Sequence, residues 1–420
     1  MQSICTHPNL VCNFAEINIF YPKEEKNMKT RFSKLMAIVM VFALIVAFAA
    51  IPASAAYTPV NGDNSLSFNK FLIVDEDARI PAIDFEYAIA PGSAAAATAT
   101  TPAIIAGVGT PTIGTASFAT GETAYTSVQG TDEVTLDSGE KYAKKAVTVN
   151  FSNVTFNQPG IYRYVITEDM TNAANKAVSY DTQTSGTAGT RYLDVYVVDN
   201  AGALSVSQYV MHETAAVVPN NDADDKADDK SSGFVNEITS HEIEFGKEVT
   251  GNQGSKDKYF KYTLTISNAQ ANTTYEVDLT NAEAAPVKTD ATKYATMSNP
   301  STIMTGSHGV VTEYFYLKDG QYITIKGLPE GYLYELSEDA EDYTSSNGIT
   351  AANNAGNTAY SDPVVNTTGV NADIKTGFTN ERTGTIPTGV LLTIAPFAIG
   401  LLLFGALAIF FIARKKKREE

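Results

Sequence analysis

Hydrophobic and polar residues alternate in many short segments of this chain. Because successive side chains of a β-strand point to opposite faces, a period of two predicts strands with one face buried in a core. Clusters of Gly, Asn, Asp and Pro separate these segments, and only two long apolar segments near the ends depart from the pattern. The alternation therefore predicts an all-β protein. Representative segments are 145–151, 192–198, 259–266 and 321–325.

The predicted strands form two blocks. Short strands at this spacing are typical of sandwiches in which two sheets bury their inner faces against each other. We therefore expect two tandem Ig-like β-sandwich domains, at 57–236 and 237–381. A length of 420 residues with 44% hydrophobic content is sufficient for two such cores. The short boundary between them predicts a stiff rod. The segment 94–120, rich in Ala, Thr, Gly and Pro, is expected to be a long surface excursion, with part of it as strand.

Both blocks carry a lysine, a glutamate and an asparagine at positions where the alternation calls for a buried hydrophobic residue. These residues are Lys70, Glu168 and Asn236 in the first block and Lys247, Glu338 and Asn380 in the second. For any one of them alone, an exposed strand position or a turn is the simpler interpretation. Their repetition in the same order favours burial together. Such burial is costly unless the three groups satisfy one another or lose their charges.

Composition and the N-terminal region indicate an exported protein. The chain has 47 Asp plus Glu against 30 Lys plus Arg, which argues against a nucleic-acid-binding surface. Residues 28–56 have the basic, apolar and small-residue parts of a secretory signal peptide, and we expect 1–27 to be an upstream leader from a start codon assigned too early. Because Cys5 and Cys12 both lie in that leader, the mature chain would have no disulfide, zinc–thiolate site or cysteine nucleophile.

The C-terminal region 382–420 combines three parts. An apolar segment at 390–413 is long enough to span a bilayer, and a basic tail follows it at 414–418. Directly before the segment stands the pentapeptide Thr385, Ile386, Pro387, Thr388 and Gly389. The arrangement resembles the cell-wall sorting signal of Gram-positive bacteria, which sortase transpeptidases cut between Thr and Gly, although proline is third here and second in the usual pattern. A simple membrane anchor is the alternative.

Several stretches of the chain resemble the major pilins of the streptococcal type. They are LSFNKFLIVDEDARIPAIDFEYAI, FSNVTFNQPGIYRYVITED, FGKEVTG, GYLYELSED and GFTNE. In that family, a lysine amine joins an asparagine side chain within one domain, ammonia is lost, and a nearby acid moves the protons. The resemblance implies a bond from Lys70 to Asn236 assisted by Glu168. It implies a second bond from Lys247 to Asn380 assisted by Glu338.

Elementary chemistry supports the same reaction. Burial among apolar side chains disfavours the ammonium form of a lysine, which leaves the free amine that attack requires. Burial also raises the pKa of a glutamate, so the protonated acid can polarise the asparagine carbonyl. The fold holds amine and amide as a near-attack pair. Each domain would react once, so we expect maturation without turnover and no enzyme.

The resemblance implies a shaft pilin of a covalent pilus. Its partners would be a sortase, further pilin subunits joined head to tail, peptidoglycan directly or through a basal pilin, and a host surface ligand. The linking amine is expected in the acidic loop before Asn236, at Lys230 first and Lys226 second, with an ordinary loop lysine as the alternative at either position. No motif predicts a metal or cofactor. A wall-anchored adhesin that never polymerises is the competing function.

Overall fold

The computed structural model describes residues 57–63, 66–98, 101–215, 230–284, 298–350, 359–384 and 399–409. Within these ranges the chain is almost entirely β, with a helix only at 399–409, so the all-β prediction is confirmed. The Ig-like assignment stays a prediction. The predicted signal peptide at 28–56, residues 385–389 and Lys226 lie outside the described residues. In the part of the chain that is described, no helix has the length and apolarity needed to cross a membrane.

The first block contains fourteen strands among the described residues. They are β1 (Val60–Asn61), β2 (Leu66–Asp75), β3 (Ile83–Phe85), β4 (Tyr87–Pro91), β5 (Ile104–Ala106), β6 (Thr112–Ile113), β7 (Ala116–Phe118), β8 (Glu140–Asn150), β9 (Thr155–Phe156), β10 (Gly160–Glu168), β11 (Val178–Ser179), β12 (Thr190–Asn200), β13 (Ala203–His212) and β14 (Gly233–Ile238). One sheet has the order β13-β12-β10-β4, with β5 parallel to β10. The other has the order β11-β14-β2-β8-β6, and β1-β9 and β3-β7 form small pairs.

The second block contains ten strands in its described part. They are β15 (Ser240–Thr250), β16 (Phe260–Ser267), β17 (Thr274–Asp278), β18 (Thr302–Met304), β19 (Val311–Leu317), β20 (Tyr322–Pro329), β21 (Leu333–Asp339), β22 (Thr344–Asn347), β23 (Val365–Asn366) and β24 (Ile374–Glu381). A six-stranded sheet has the order β18-β17-β20-β15-β24-β22, and a four-stranded sheet has the order β19-β16-β21-β23. Each block has its own large core of buried apolar side chains.

The cores form where alternate residues of the long strands meet. Along β16 the residues are buried and half-buried in strict alternation, as expected for a strand with one face on a core. Aromatic rings pack in both cores: Phe151 and Tyr164 meet edge to face at 4.8 Å, and Phe245 and Phe315 do so at 5.2 Å. Full burial of a side chain of this kind stabilises the fold by about 1.5–3 kcal/mol. The packed sheets therefore provide a rigid frame for the polar residues between them.

The first and last long strands of each block pair side by side and run parallel. In the first block, β2 pairs with β14, and Lys70 lies opposite Phe234. In the second, β15 pairs with β24, and Lys247 lies opposite Phe378. The asparagine follows that phenylalanine by two residues in both blocks, so the two registers are the same. Because the paired strands are parallel, the chain enters a block at one end and leaves it at the other.

The junction between the blocks is short and hydrogen-bonded. Only Thr239 separates β14 from β15. The buried side chain of Gln270 accepts the main-chain N–H of Lys176 at 3.0 Å and donates to the carbonyl of Ala82 at 3.2 Å. The N–H of Ala82 donates in turn to Thr273 Oγ1 at 3.1 Å. Bending at the junction would break these bonds, which favours a stiff connection.

Glycine allows the first and last strands to approach closely. A Cβ atom added at Gly233 of β14 would lie 1.6 Å from the carbonyl oxygen of Asn69, the residue before Lys70. A Cβ added at Gly377 of β24 would lie 2.5 Å from the carbonyl oxygen of Gly246, the residue before Lys247. Both contacts are with backbone, which cannot move aside as a flexible side chain can. The sequence Gly-Phe-x-Asn thus sets the distance between the strands in both blocks.

We predict that Gly233→Ala lowers the free energy of unfolding by about 1–3 kcal/mol, because the added methyl forces β14 away from β2. Denaturant unfolding should show a lower midpoint with an unchanged slope. Gly114→Ala is the control, since its Cβ would have no atom nearer than 3.6 Å. Equal midpoints for the two variants would contradict the close-approach argument.

Candidate functional site

The two sheets of the first block bring Lys70, Glu168 and Asn236 together. Lys70 lies on β2 and Asn236 on the neighbouring β14, whereas Glu168 ends β10 in the opposite sheet. Lys70 and Asn236 have no exposed surface, and Glu168 is 6% exposed. The two sheets therefore place the amine and the amide on one side of the core and the carboxyl group across from them.

One carboxylate oxygen connects the amine and the amide. Lys70 Nζ lies 2.7 Å from Glu168 Oε1, and Asn236 Nδ2 donates to the same oxygen at 3.0 Å. The hydroxyl of Tyr87 also donates to this oxygen, at 3.3 Å. On the other side of the amide, Asn236 Oδ1 accepts the main-chain N–H of Asp181 at 2.8 Å. Both ends of the Asn236 side chain are thus held.

The second block repeats the arrangement with a difference at the asparagine. Lys247 Nζ lies 2.8 Å from Glu338 Oε1, and neither side chain is exposed. Lys247 Nζ also donates to the carbonyl of Phe378 at 3.4 Å. Asn380 is fully buried on β24. Its Nδ2 and Oδ1 atoms have no hydrogen-bond partner among the described residues. The amine and the acid are therefore paired as in the first block, but the amide carbonyl is not held.

An aromatic ring lies against each amine. Lys70 Nζ lies 4.6 Å from the centre of the Phe85 ring, and Lys247 Nζ lies 4.5 Å from that of Phe260. A ring face attracts a cation, but it excludes the water that would otherwise hydrate the ammonium. The environment therefore tolerates a charged pair in the folded chain while lowering the cost of losing the charges.

Burial shifts the pKa values of Lys70, Lys247 and Glu168 in the direction that neutralises them. Desolvation lowers the pKa of Lys70 to about 8, although the Coulomb attraction of Glu168 opposes the shift. Desolvation likewise lowers the pKa of Lys247 to about 8, against the opposing effect of Glu338. It raises the pKa of Glu168, which Lys70 opposes. Transfer of one proton from Lys70 to Glu168 would create a nucleophilic amine and a proton donor together.

An ion pair beside the first site was not anticipated from the sequence. The guanidinium of Arg191 binds both carboxylate oxygens of Asp181 at 2.7 Å, and both residues are buried. The alternation that identified Lys70 could also have identified Arg191, because Arg191 shares a strand face with the buried Leu193 and Val195. Asp181 lies in a turn outside any strand, so alternation could not reveal it.

The residues predicted for joining subunits are only partly described. Lys230 is exposed, and its backbone forms an isolated antiparallel β-bridge with that of His212, at the end of β13. It lies near the start of β14, the strand that carries Asn236. Lys226 and the pentapeptide at 385–389 lie outside the described residues. Within the described ranges, no group of three or more His, Cys, Asp and Glu side chains is arranged to hold a metal ion.

Two family models match parts of the chain. Residues 110–238 match the Spy0128-like isopeptide containing domain, and residues 241–382 match a domain of unknown function, DUF7601. A pilin of Streptococcus pyogenes serotype M1 is 28% identical over 395 residues, which cover 91% of this chain and 99% of that protein. These matches confirm the resemblance to pilins of the streptococcal type.

Two solved structures align with about three quarters of the chain at low identity. The crystal structure of the major pilin from Streptococcus pyogenes is 21% identical, covers 77% of this chain and 100% of that one, and has a TM-score of 0.45. The major pilin protein T-13 of the same species is 22% identical, covers 77% and 98% of the two chains, and has a TM-score of 0.42.

We predict a bell-shaped pH dependence for ammonia release at the first site when the unfolded chain is refolded. The reactive pair of Lys70 and Glu168 holds one proton. Above about pH 8 the pair loses that proton, so the rate should fall. Below the raised pKa of Glu168 the pair gains a second proton and Lys70 remains an ammonium, so the rate should fall again. Mass spectrometry of samples quenched between about pH 4 and about pH 10 measures this profile.

Glu168→Gln is the matched control for the pH profile, because the amide has the shape of the acid but does not titrate in this range. Its residual rate should be low, and its profile should lack the alkaline fall, because only protonation of Lys70 would then change the rate. A rate at the first site of the unsubstituted chain that does not change across this pH range would contradict the assignment of the pair.

Proposed function

We propose that this chain, which is similar to a streptococcal pilin, is the shaft subunit of a sortase-assembled pilus on a Gram-positive cell surface. Each block would be locked by a bond between its lysine and its asparagine. The observation that carries the proposal is the repeated geometry: in both blocks the amine contacts a buried carboxylate across the core, and a buried asparagine lies on the adjacent last strand. Burial of the same three polar groups twice has no evident benefit for packing alone.

The proposed reaction at the first site balances as follows. Lys70 gives a proton to Glu168 and attacks Cγ of Asn236, and the electron pair of the carbonyl moves to Oδ1. Glu168 then passes a proton to Nδ2 and receives one from the attacking nitrogen. When the bond between Cγ and Nδ2 breaks, ammonia leaves and an amide joins the two side chains. The hydrogen bond from Nδ2 to Glu168 already lies on this proton path.

The strand arrangement gives the bonds a mechanical role. The first bond would join β2 to β14 and the second would join β15 to β24, so each would connect the strand that enters a block to the strand that leaves it. Because these strands are parallel, force that enters before the first strand and leaves after the last, as in the second block of a subunit joined through Lys230, would shear one strand past the other. A covalent bond between them would carry that force in place of the hydrogen bonds of the ladder.

Assembly would use the opposite ends of two subunits. In our proposal, a sortase cuts between Thr388 and Gly389 and transfers the Thr388 carbonyl to an amine of the next subunit. Lys230 is the candidate that the structure describes, and its exposure beside β13 supports access by an enzyme. A contact between two different surfaces does not close on itself, so a filament results. The base of the filament would be joined to peptidoglycan, directly or through a basal pilin.

We predict that the folded chain is lighter than its sequence mass by two ammonia molecules. Glu168→Ala and Glu338→Ala should each restore one ammonia, because each variant lacks the group that moves protons at one site. Intact-mass spectrometry measures the difference. Glu335→Ala is the matched control, since Glu335 is exposed on the same strand as Glu338. If both site variants keep the mass of the unsubstituted protein, the assignment of the glutamates is wrong.

Loss of either bond should also lower stability. Closing loops of this size restricts the unfolded chain by about 5 kcal/mol each on the loop-entropy relation. For blocks of this length, the transition of the affected block should fall by roughly 10–20 °C. Calorimetry of Glu338→Ala beside Glu335→Ala measures the effect. Matching transitions in the two variants would contradict a bond in the second block.

We predict that Lys230→Arg abolishes the SDS-resistant ladder of cell-wall extracts, because the guanidinium keeps the charge but is a poor nucleophile. Lys256→Arg, at a highly exposed lysine of the second block, should leave the ladder unchanged. A ladder in Lys230→Arg that disappears in Lys226→Arg would identify Lys226 as the linking residue. A single band from the unsubstituted chain, with the sortase present, would favour the adhesin.

A further inference from the structure

The two sites differ in what holds the asparagine carbonyl. In the first block, the N–H of Asp181 donates to Asn236 Oδ1 at 2.8 Å. In the second, the corresponding oxygen of Asn380 has no partner among the described residues. The difference lies at the atom that gains negative charge when an amine adds to the amide. It therefore concerns the reaction itself as well as the resting structure.

The turn that presents this N–H is anchored on several sides. Asp181 has a φ of 51°, a left-handed conformation that aspartate adopts at a cost smaller than that of most residues. Its Oδ2 atom accepts the N–H of Gly189 at 2.8 Å, and its two oxygens bind Arg191. The start of β12, with Gly189 directly before it, thus holds the Asp181 side chain in place.

Arg191 connects the turn to the reacting strand. Its Nε atom donates to the carbonyl of Gly233 at 3.1 Å and to Ser231 Oγ at 2.8 Å. Its guanidinium lies 4.5 Å from the centre of the Phe234 ring. Gly233 and Phe234 precede Asn236 on β14. Arg191 therefore fixes the position of the Asp181 N–H relative to β14, the strand that carries its acceptor Asn236.

We propose that the main-chain N–H of Asp181 stabilises the oxyanion formed on Asn236, and that the ion pair of Asp181 and Arg191 positions this donor. The first bond then forms faster than the second. This inference rests on the proposed function. When Lys70 adds to Cγ of Asn236, the carbonyl electron pair moves to Oδ1, where the N–H meets it. The pair returns when the bond to Nδ2 breaks and ammonia leaves with the proton from Glu168.

A purely electrostatic role for Asp181 would have the opposite effect on rate. The negative charge of Asp181 raises the pKa of Lys70 and so favours the unreactive ammonium. If charge alone mattered, neutralising Asp181 would speed the reaction. If position matters, removing the anchor slows it. The direction of the change therefore separates the two roles.

The first test needs no substitution. The full chain is refolded from denaturant and quenched at intervals, and peptide mass spectrometry measures the bond from Lys70 to Asn236 and that from Lys247 to Asn380 separately. Removing one oxyanion donor typically slows a reaction by about 100-fold or more, so we expect the first bond to lead by at least about 10-fold. Equal rates, or a faster second bond, would overturn the proposal.

The second test compares Asp181→Gly with Asp181→Asn. Glycine keeps the N–H and the left-handed backbone but loses the contacts with Gly189 and Arg191, so the first bond should form about 10-fold or more slowly. Asparagine keeps an acceptor and tolerates the conformation, so it should restore most of the rate. A faster reaction in Asp181→Asn than in the unsubstituted chain would support the role of charge and overturn the positioning role.

The rate of bond formation at the second site is an internal reference for both variants. This rate should not change in Asp181→Gly, which shows that the chain folds and that refolding conditions are the same. Asp181→Gly leaves the buried guanidinium of Arg191 without its carboxylate partner, and adding Arg191→Met removes that cation. The double variant should form the first bond slowly for the same reason as the single variant. An unchanged first-site rate in this double variant would overturn the proposal. If neither site of the unsubstituted chain releases ammonia, the proposed function fails, and not the donor assignment alone.

Discussion

The exclusion of water from one ammonium–carboxylate pair in each block is the constraint on which the rest of the structure depends. In water, Lys70 and Glu168 would both stay charged and the amine would be inert. Between two packed sheets the charged forms lose hydration, and the pKa of each group moves toward the other. The aromatic rings, the buried strands and the close pairing of β2 with β14 all serve to maintain that exclusion. The site is therefore a property of the core and not of a surface cleft.

The close pairing depends in turn on local sequence. Gly233 and Gly377 let the last strand approach the first strand to a distance that no other residue allows. The phenylalanine that follows each glycine lies opposite the lysine, and the asparagine two residues later lies on the same face. One short pattern thus sets spacing, register and side-chain direction together. This explains why the two blocks reach the same geometry with different sheets around it.

The extent to which the sequence predicts the structure differs from one element to another. Alternation was sufficient to place Lys70 and Lys247 in cores, because a strand has only two faces. It could not reveal Asp181, which lies in a turn, or the parallel pairing of β5 with β10, which depends on contacts distant in the chain. The segment 94–120 was expected to be a surface excursion. It contains β5, β6 and β7, and Ile104 and Phe118 within it are buried. Alternation could not locate these strands, because each has too few residues to show a period.

The single residue between β14 and β15 has a consequence for extensibility. In the linked state that we propose, a pulling force would enter the subunit at Lys230, follow residues 231–246 to Lys247 and cross to Asn380. The stretches 71–229 and 248–379 would lie outside this route and would release no hidden length under tension. A protease that cut a loop inside either stretch would also leave the route whole, so a damaged subunit could still hold its filament together.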